Sequence, residues 1–186
     1  MSYGRINEIL WLIGIGYWII SWSGNKKTAR RYNPGSRLLV LVATVCIWWI
    51  LYNTDGWLQT RFLPNYNFIG PLSSILCAAG VGFAIWARYT LGRNWSANPS
   101  VKEGHELVVR GPYRLVRHPI YTGILLAMLG SPVVHDGRVR SLIFFACIAI
   151  GLHFKSRIEE GLMMQTFPDT YPEYRRRTKA IIPYIL

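Results

Sequence analysis

Long apolar stretches alternate with short polar segments along the chain, and this pattern predicts helices that cross a membrane. Four stretches carry few or no charges, as a bilayer span of roughly 17–25 residues requires. They cover residues 6–22, 38–52, 68–89 and 139–154. Each of them is therefore predicted to be a transmembrane helix.

A fifth apolar stretch covers residues 120–134. It corresponds to about 22 Å of helix, which is less than the hydrocarbon thickness of about 30 Å. Gly130, Ser131 and Pro132 near its end favour a tight helical hairpin with residues 139–154. The chain is thus predicted to be an all-α integral membrane protein with about five transmembrane helices. Two of them form a C-terminal helical hairpin, whose short arm is not required to cross fully.

The composition supports this class of protein. Hydrophobic residues make up 51% of the 186 residues and charged residues only 16%, whereas a soluble domain carries about 25% charged residues. Cys46, Cys77 and Cys147 lie inside apolar stretches, where a free thiol behaves as a small hydrophobic group. The sequence has neither a disulfide framework nor the spacing of a metal site.

The formal net charge of +12 is unevenly distributed. Of the 21 lysines and arginines, 17 lie in loop 23–37, in segment 88–118 and in the tail from residue 155. Alternating spans place these three segments on one side, and an excess of positive charge favours the cytoplasm. The N-terminus is predicted to lie outside and the C-terminus inside. Anionic phospholipid headgroups, rather than nucleic acid, are the expected partners of the basic surface.

The chain divides into two regions by the placement of its polar segments. Residues 1–67 form an N-terminal two-helix membrane region, whose tryptophans are predicted to anchor and pack the helices. Its first helix is followed by a second span, which favours a retained helix over a cleaved signal. In residues 68–186, the polar segments 88–117 and 155–186 share the cytoplasmic side. They are too short to form a domain with its own core, so they are expected to fold against each other and the helix ends.

Residues 104–123 bring potentially catalytic side chains to the start of an apolar stretch. Arg117, His118 and Tyr121 lie close together in this segment. Pro119 stands where a helix can begin, because the first helical position tolerates a missing N–H group. A cationic cluster at the end of a membrane helix is either a topology signal or a functional site.

Two adjacent glutamates are the expected partners of this cluster. Glu159 and Glu160 follow stretch 139–154 on the predicted cytoplasmic side. Adjacent helical residues point about 100° apart, so the two carboxylates cannot serve an identical role. Taken alone, they fit a helix end that meets lipid headgroups. Together with Arg117 and His118 on the same side, they favour a functional site.

The order of these motifs resembles one membrane enzyme family. GHELVVRGPYRLVRHPIYTG is followed by a helical hairpin, then RIEEGLM, then FPDTYPEYRRRTKAIIPYI. This order resembles the isoprenylcysteine carboxyl methyltransferase family and its phospholipid methyltransferase relatives. The likeness covers about residues 90–186, and the compound pattern is far more specific than any of its parts.

The resemblance implies a catalytic membrane methyltransferase region over residues 68–186 that uses S-adenosylmethionine and releases S-adenosylhomocysteine. The cofactor pocket is implied to form on the cytosolic side from loop 90–118, the start of the next helix up to residue 123, and segment 153–186. No G-x-G-x-x-G fingerprint of a soluble dinucleotide-binding fold is present. Residues implied to contact the cofactor are His105, Leu107, Val108, Gly111, Tyr113, His118, Tyr121 and Glu160.

Arg117 and Glu159 are implied to be the catalytic residues on the acceptor side. The arginine is suited to hold a substrate carboxylate through two hydrogen bonds. Glu159 is suited to orient that arginine, or to accept a proton if the acceptor is an amine. Which of Glu159 and Glu160 faces the cofactor stays open.

The leading hypothesis is therefore methylation of a lipid-like or prenylated membrane acceptor, at a carboxylate, in a prokaryotic plasma membrane. Three alternatives stay open. One is a phospholipid N-methyltransferase, which needs an acidic acceptor pocket rather than an arginine. Another is a sterol-reductase-like oxidoreductase that uses NADPH. The last is a non-catalytic membrane scaffold whose basic loops serve topology and lipid binding alone.

Overall fold

Apolar helices account for most of the computed structural model, which describes residues 2–22, 28–31, 36–64, 66–96, 100–102, 104 and 106–183. All five predicted stretches form helices. Their bounds are α1 Tyr3–Trp22, α2 Ser36–Asn53, α3 Ile69–Leu91, α4 Pro119–Met128 and α5 Val139–Thr166, and a short helix α6, Tyr171–Arg177, follows. Single turns of 3₁₀ helix cover Trp57–Gln59, Gly92–Asn94 and Gly111–Arg114.

Within the described residues, two helices are long and apolar enough to cross a bilayer by length and composition. They are Ile69–Asn94, which joins α3 to the following 3₁₀ turn, and Val139–Thr166, which is α5. The apolar part of α2, Val40–Asn53, is shorter. That about five helices cross the membrane remains a prediction.

One small β-ribbon departs from the all-helical prediction. Strand β1, Thr28–Arg31, pairs antiparallel with β2, Ser100–Lys102. The two strands come from the basic loop between α1 and α2 and from the polar segment after α3. The ribbon therefore joins two segments that the charge pattern predicts to share one side of the membrane.

The predicted hairpin is confirmed by the course of the chain after α4. The helix continues as a π-helical segment, Leu129–Asp136, which contains Pro132. Proline has no N–H group to donate within a helix, which disfavours regular α-helical bonding there. Gly137 then adopts a left-handed conformation with φ of 63°, which glycine takes up at little steric cost, and α5 begins at Val139.

Helix α4 packs mainly against α3, and small residues let the two backbones approach closely. A Cβ atom added to Gly80 would lie 2.2 Å from the backbone nitrogen of Ala127. One added to Gly123 would lie 2.6 Å from the backbone nitrogen of Ala84. This close contact buries Cys77, Val81 and Ala127 in an apolar cluster, against which Leu10 and Trp11 of α1 pack.

Backbone hydrogen bonds gather polar segments at both ends of the helices. At the end that carries the ribbon, Arg117 N donates to Lys179 O at 2.9 Å and His118 N to Ala180 O at 2.8 Å. At the opposite end, Phe62 N donates to Gly137 O at 2.9 Å. The segment before α4 and the tail therefore lie together, as predicted.

The close approach of α3 and α4 can be tested by comparing two glycine substitutions on α3. We expect Gly80→Ala to lower the thermal unfolding midpoint of the detergent-purified protein, because its methyl group would meet backbone atoms of α4. Overpacking of this kind costs about 1–3 kcal/mol. Gly82→Ala is the matched control, since a Cβ atom there has no neighbour within 4 Å and alanine favours a helix by about 0.5–1 kcal/mol over glycine. Equal midpoints for the two variants would contradict the packing argument.

Candidate active site

Backbone conformation and backbone hydrogen bonds fix the position of the segment from Gly111 to Pro119. Gly111 has φ of 59°, and Pro112 follows in the 3₁₀ turn that leads to the fully buried Val116. The backbone bonds to Lys179 and Ala180 then hold this segment against the tail. Pro119 occupies the first turn of α4, as predicted, so α4 starts immediately after His118.

Arg117 forms a buried ion pair with Glu160 of α5. Its Nε and Nη2 atoms both lie 2.8 Å from Glu160 Oε1. Its Nη1 atom donates to the backbone oxygens of Arg175, at 3.1 Å, and of Thr178. The side chains of Arg117 and Glu160 are 9% and 4% exposed, so this contact joins α5, α6 and the start of α4 away from water.

His118 lies between the two glutamates. Its Nδ1 atom is 3.5 Å from Glu159 Oε2, and its Nε2 atom is 3.4 Å from Glu160 Oε1. Burial lowers the pKa of His118, but the two facing carboxylates raise it by more, so the pKa lies above its ordinary value of 6.5. The protonated imidazole is therefore favoured in the folded protein.

Tyr121 holds the second glutamate. Its hydroxyl group donates to Glu159, whose two carboxylate oxygens both lie 2.7 Å away. The ring stacks on the imidazole of His118 with a centroid distance of 5.3 Å and an angle of 3°. The Nζ atom of Lys155, on α5, lies 5.3 Å from the centre of the Tyr121 ring. Glu159 is thus oriented by a hydroxyl group and an imidazole, while Glu160 is neutralised by the arginine.

Buried tyrosines connect the tail to the segment before α4. The hydroxyl group of Tyr174 donates to the backbone oxygen of Tyr113 at 2.7 Å, and Tyr171 packs edge-on against Tyr174. Burial raises the pKa of all three phenols above its ordinary value. They remain neutral at physiological pH and act as packing groups and hydrogen-bond donors.

These groups surround a cavity of about 320 Å³, which we call the polar cavity. Its walls combine charged and polar side chains with aromatic and aliphatic side chains. The polar walls are Asn94, Ser96, Arg117, His118, Lys155 and Glu159, and the aromatic walls are Trp18, Trp95, Tyr113 and Tyr121.

Five of the ten residues predicted for the site line this cavity together: Tyr113, Arg117, His118, Tyr121 and Glu159. Glu160 lies beneath it, 3% exposed, and contacts Arg117 and His118 instead. Arg117 is therefore oriented by Glu160 and not by Glu159. Leu107, Val108 and Gly111 precede the cavity segment but are not among the described residues that line it, although Val108 packs against the neighbouring core. His105 lies outside the described residues.

The structure adds wall residues that the sequence did not single out as functional. Trp18 on α1 was predicted to anchor or pack, and it lines the polar cavity with Asn94 and Trp95.

Arg88 is 3% exposed and donates to Gly92 O at 2.7 Å and to Ser21 O at 2.6 Å. Its guanidinium carbon lies 4.7 Å from the centre of the Trp95 ring. In the sequence, the one signal of a special role for Arg88 is that an arginine stands inside an apolar stretch.

Comparison with known proteins identifies the family. Residues 73–165 match the Isoprenylcysteine carboxyl methyltransferase (ICMT) family. The chain belongs to this family. It is 32% identical over 118 residues to the cobalt-zinc-cadmium resistance protein CzcN of Cupriavidus metallidurans, covering 63% of this chain and 52% of that protein. It is 28% identical over 127 residues to a probable protein-S-isoprenylcysteine O-methyltransferase of Oryza sativa subsp. indica, covering 66% and 65%.

A solved structure shares the fold. The eukaryotic intramembrane Ras methyltransferase ICMT superimposes with a TM-score of 0.57 at 19% identity, covering 84% of this chain and 55% of that chain. At this identity the likeness concerns the fold alone. The chain spans between 52% and 65% of the length of the two curated relatives.

The environment of His118 predicts a pH dependence of stability. Since its folded-state pKa is raised above 6.5, the protonated group stabilises the fold fully below pH 6.5. This contribution is lost as the pH rises through the folded-state pKa. We expect the difference in thermal unfolding midpoint between the wild type and His118→Gln to be largest in acid and to shrink as the pH rises. His135→Gln, at the opposite end of the helices, is the control. A difference that stays constant with pH would contradict this environment for His118.

Proposed function

We propose that this protein is an S-adenosylmethionine-dependent methyltransferase that acts on a lipid-like or prenylated acceptor in the membrane. The observation that carries the proposal is the polar cavity, where motif side chains from α4 and α5 converge at the end of apolar helices. Family membership supports it. The curated relative from rice is named as a methyltransferase of this kind.

The residues of the polar cavity fit S-adenosylmethionine. The volume of about 320 Å³ lies at the lower end of the range for ligand pockets, about 300–1,000 Å³. Within the described residues, the buried Oδ1 atom of Asn94 has no hydrogen-bond partner, so it is suited to accept from the ammonium group of the cofactor. The rings of Trp95 and Tyr113 offer apolar faces for adenine.

When bound, S-adenosylmethionine supplies an electrophilic methyl group on a positively charged sulfur. The protein's contribution is then orientation of the acceptor and exclusion of water, which together account for most of the gain in such a displacement. Tyr121 and His118 hold Glu159 in one orientation.

The charges around the polar cavity favour a carboxylate acceptor. Arg117 and Lys155 balance Glu159 and Glu160, and protonation of His118 makes the sum positive. Arg117 already gives Nε and Nη2 to Glu160 and Nη1 to two backbone oxygens. Two hydrogen bonds from Arg117 to a substrate carboxylate would therefore require Glu160 to be displaced. We assign Arg117 and Glu159 to the acceptor side and Glu160 to the positioning of Arg117 and His118.

We further propose that the protein resides in a prokaryotic plasma membrane with its N-terminus outside and its C-terminus in the cytoplasm. Large apolar side chains on the helices are exposed in the isolated chain, for example Ile20 at 78% and Ile75 at 65%, and lipid would cover them. The exposed arginines 175–177 of α6 are suited to anionic phospholipid headgroups. They lie at the same end as the polar cavity.

Binding of S-adenosylhomocysteine tests the cofactor side of the proposal. We expect isothermal titration of the detergent-purified protein to show saturable binding, and Tyr121→Phe to weaken it about tenfold. The variant removes from the cavity wall the hydroxyl group that holds Glu159, and a tenfold loss of affinity corresponds to about 1.4 kcal/mol. Tyr89→Phe is the matched control, because Tyr89 is 76% exposed. Absence of binding by folded protein would refute the methyltransferase proposal, and saturable binding of NADPH instead would favour an oxidoreductase.

The acceptor side is tested with Arg117→Lys. This variant keeps the charge but loses the fork that contacts Glu160 and the tail. Because a misplacement of about 1 Å can cost about a hundredfold in rate, we expect turnover to fall by that order while affinity for S-adenosylhomocysteine stays within a few-fold. The measurement is methyl transfer from labelled S-adenosylmethionine to N-acetyl-S-alkylcysteines. A carboxyl methyl ester releases its label as methanol in alkali, whereas an N-methyl product does not. An equal loss of cofactor affinity would place Arg117 on the cofactor side.

A further inference from the structure

Three basic side chains line the polar cavity, and two of them belong to the buried ion-pair network. Arg117 uses Nε and Nη2 for Glu160 and Nη1 for two backbone oxygens of the tail. His118 lies between the carboxylates of Glu159 and Glu160. The third is Lys155 of α5. A ligand can therefore contact Lys155 without breaking the ion pair between Arg117 and Glu160.

Helix α5 lines the polar cavity with one face. The lining residues Leu152, Lys155, Glu159 and Leu162 are three or four positions apart, which is the spacing of a single helical face. Along this face Lys155 lies about 4.5 Å beyond Leu152 and about 6 Å before Glu159. A charged group that enters from the apolar side, past Leu152, therefore meets the ammonium group of Lys155 before it meets the carboxylate of Glu159.

Tyr121 connects Lys155 with Glu159 at the cavity wall. The centre of its ring lies 5.3 Å from Lys155 Nζ, and its hydroxyl group donates to Glu159. An ammonium group at this distance is attracted to an aromatic ring, which favours a position of Nζ at the cavity wall. Lys155 is half-buried, whereas Arg157 on the same helix is exposed. Arg157 is thus suited to lipid headgroups, and Lys155 to a ligand in the cavity.

We propose that Lys155 binds the carboxylate of the methyl acceptor, while Arg117 keeps its contacts with Glu160 and the tail. The inference rests on the proposed function for the identity of the acceptor. An arginine fork engages both oxygens of a carboxylate, whereas a lysine is a compact charge on a flexible stem. Lys155 can therefore hold one oxygen and leave the other directed at the methyl group. Arg117 is then a positioning residue on the acceptor side.

With the acceptor held in this way, methyl transfer needs no base. One carboxylate oxygen supplies the electron pair of the new bond to the methyl carbon, the bond between that carbon and sulfur breaks with its pair on sulfur, and no proton moves. The anionic acceptor becomes a neutral ester. Because the attraction to Lys155 depends on the charge of the acceptor, Lys155 holds the substrate more strongly than the product and so favours product release.

A charged ligand and its neutral analogue test this contact without turnover. N-acetyl-S-dodecylcysteine and its carboxamide are titrated calorimetrically into the full-length protein in nanodiscs, and the ratio of their affinities is compared between variants, because partition into lipid then cancels. We expect Lys155→Gln to lower the preference for the carboxylate about tenfold, as the loss of a hydrogen bond between charged groups predicts. Lys155→Met should do the same, and Lys155→Arg should restore the preference. Arg157→Gln is the matched control, since it removes the same charge from an exposed position of α5.

Kinetics with labelled S-adenosylmethionine provide the second measurement. Lys155→Gln should raise KM for N-acetyl-S-dodecylcysteine about tenfold and leave the affinity for S-adenosylhomocysteine close to that of the wild type. An equal loss of S-adenosylhomocysteine affinity would assign Lys155 to the carboxylate of the cofactor and overturn the inference. An unchanged carboxylate preference in Lys155→Gln, with methyl transfer intact, would overturn it as well and leave the proposed function standing. A preference that depends on Lys155 in a protein that methylates no acceptor would support the carboxylate site and refute the proposed function.

Discussion

The buried ion pair between Arg117 and Glu160 is the contact on which the rest of the site depends. Two charges removed from water are costly unless each finds several partners. Arg117 meets this condition by donating to Glu160 and to backbone oxygens of Arg175 and Thr178. The pair therefore joins α5 and α6 to the start of α4, although these segments are 43 to 61 positions apart in sequence. Removing one partner of such a pair typically costs about 3–5 kcal/mol.

This pair also explains why the two glutamates differ. Adjacent helical residues point about 100° apart, so Glu160 reaches the arginine below the cavity while Glu159 reaches Tyr121 at its wall. His118 contacts both carboxylates and so couples the structural pair to the cavity. Glu160 therefore fixes the position of Arg117, while Glu159 lines the cavity. Helical geometry predicts that their roles differ, but the partner of each depends on the tail, whose position no local pattern specifies.

The sequence predicted most of the helices because long apolar stretches have few alternative structures. It also predicted that Arg117, His118, Tyr121 and Glu159 would converge, since their motifs share one predicted side. It did not predict the ribbon of β1 and β2, because strands of three or four residues leave no periodic signal and their pairing is long-range. Trp18 was predicted to have an anchoring role, since an aromatic residue near a helix end is common at membrane interfaces. Its place in the cavity wall follows from how α1 packs on α3.

Helix α1 contributes to the polar cavity in a different way from the elements that carry its charged groups. Among the described residues, the ion pairs at the polar cavity connect the start of α4 with α5 and α6. The close contact of α3 and α4 supplies a rigid support for these groups. Helix α1 adds Trp18 to the polar cavity, and Arg88 of α3 donates to the backbone oxygen of Ser21 near the end of α1. Substitution of Trp18 can therefore change the shape of the polar cavity without altering the charges around Glu159.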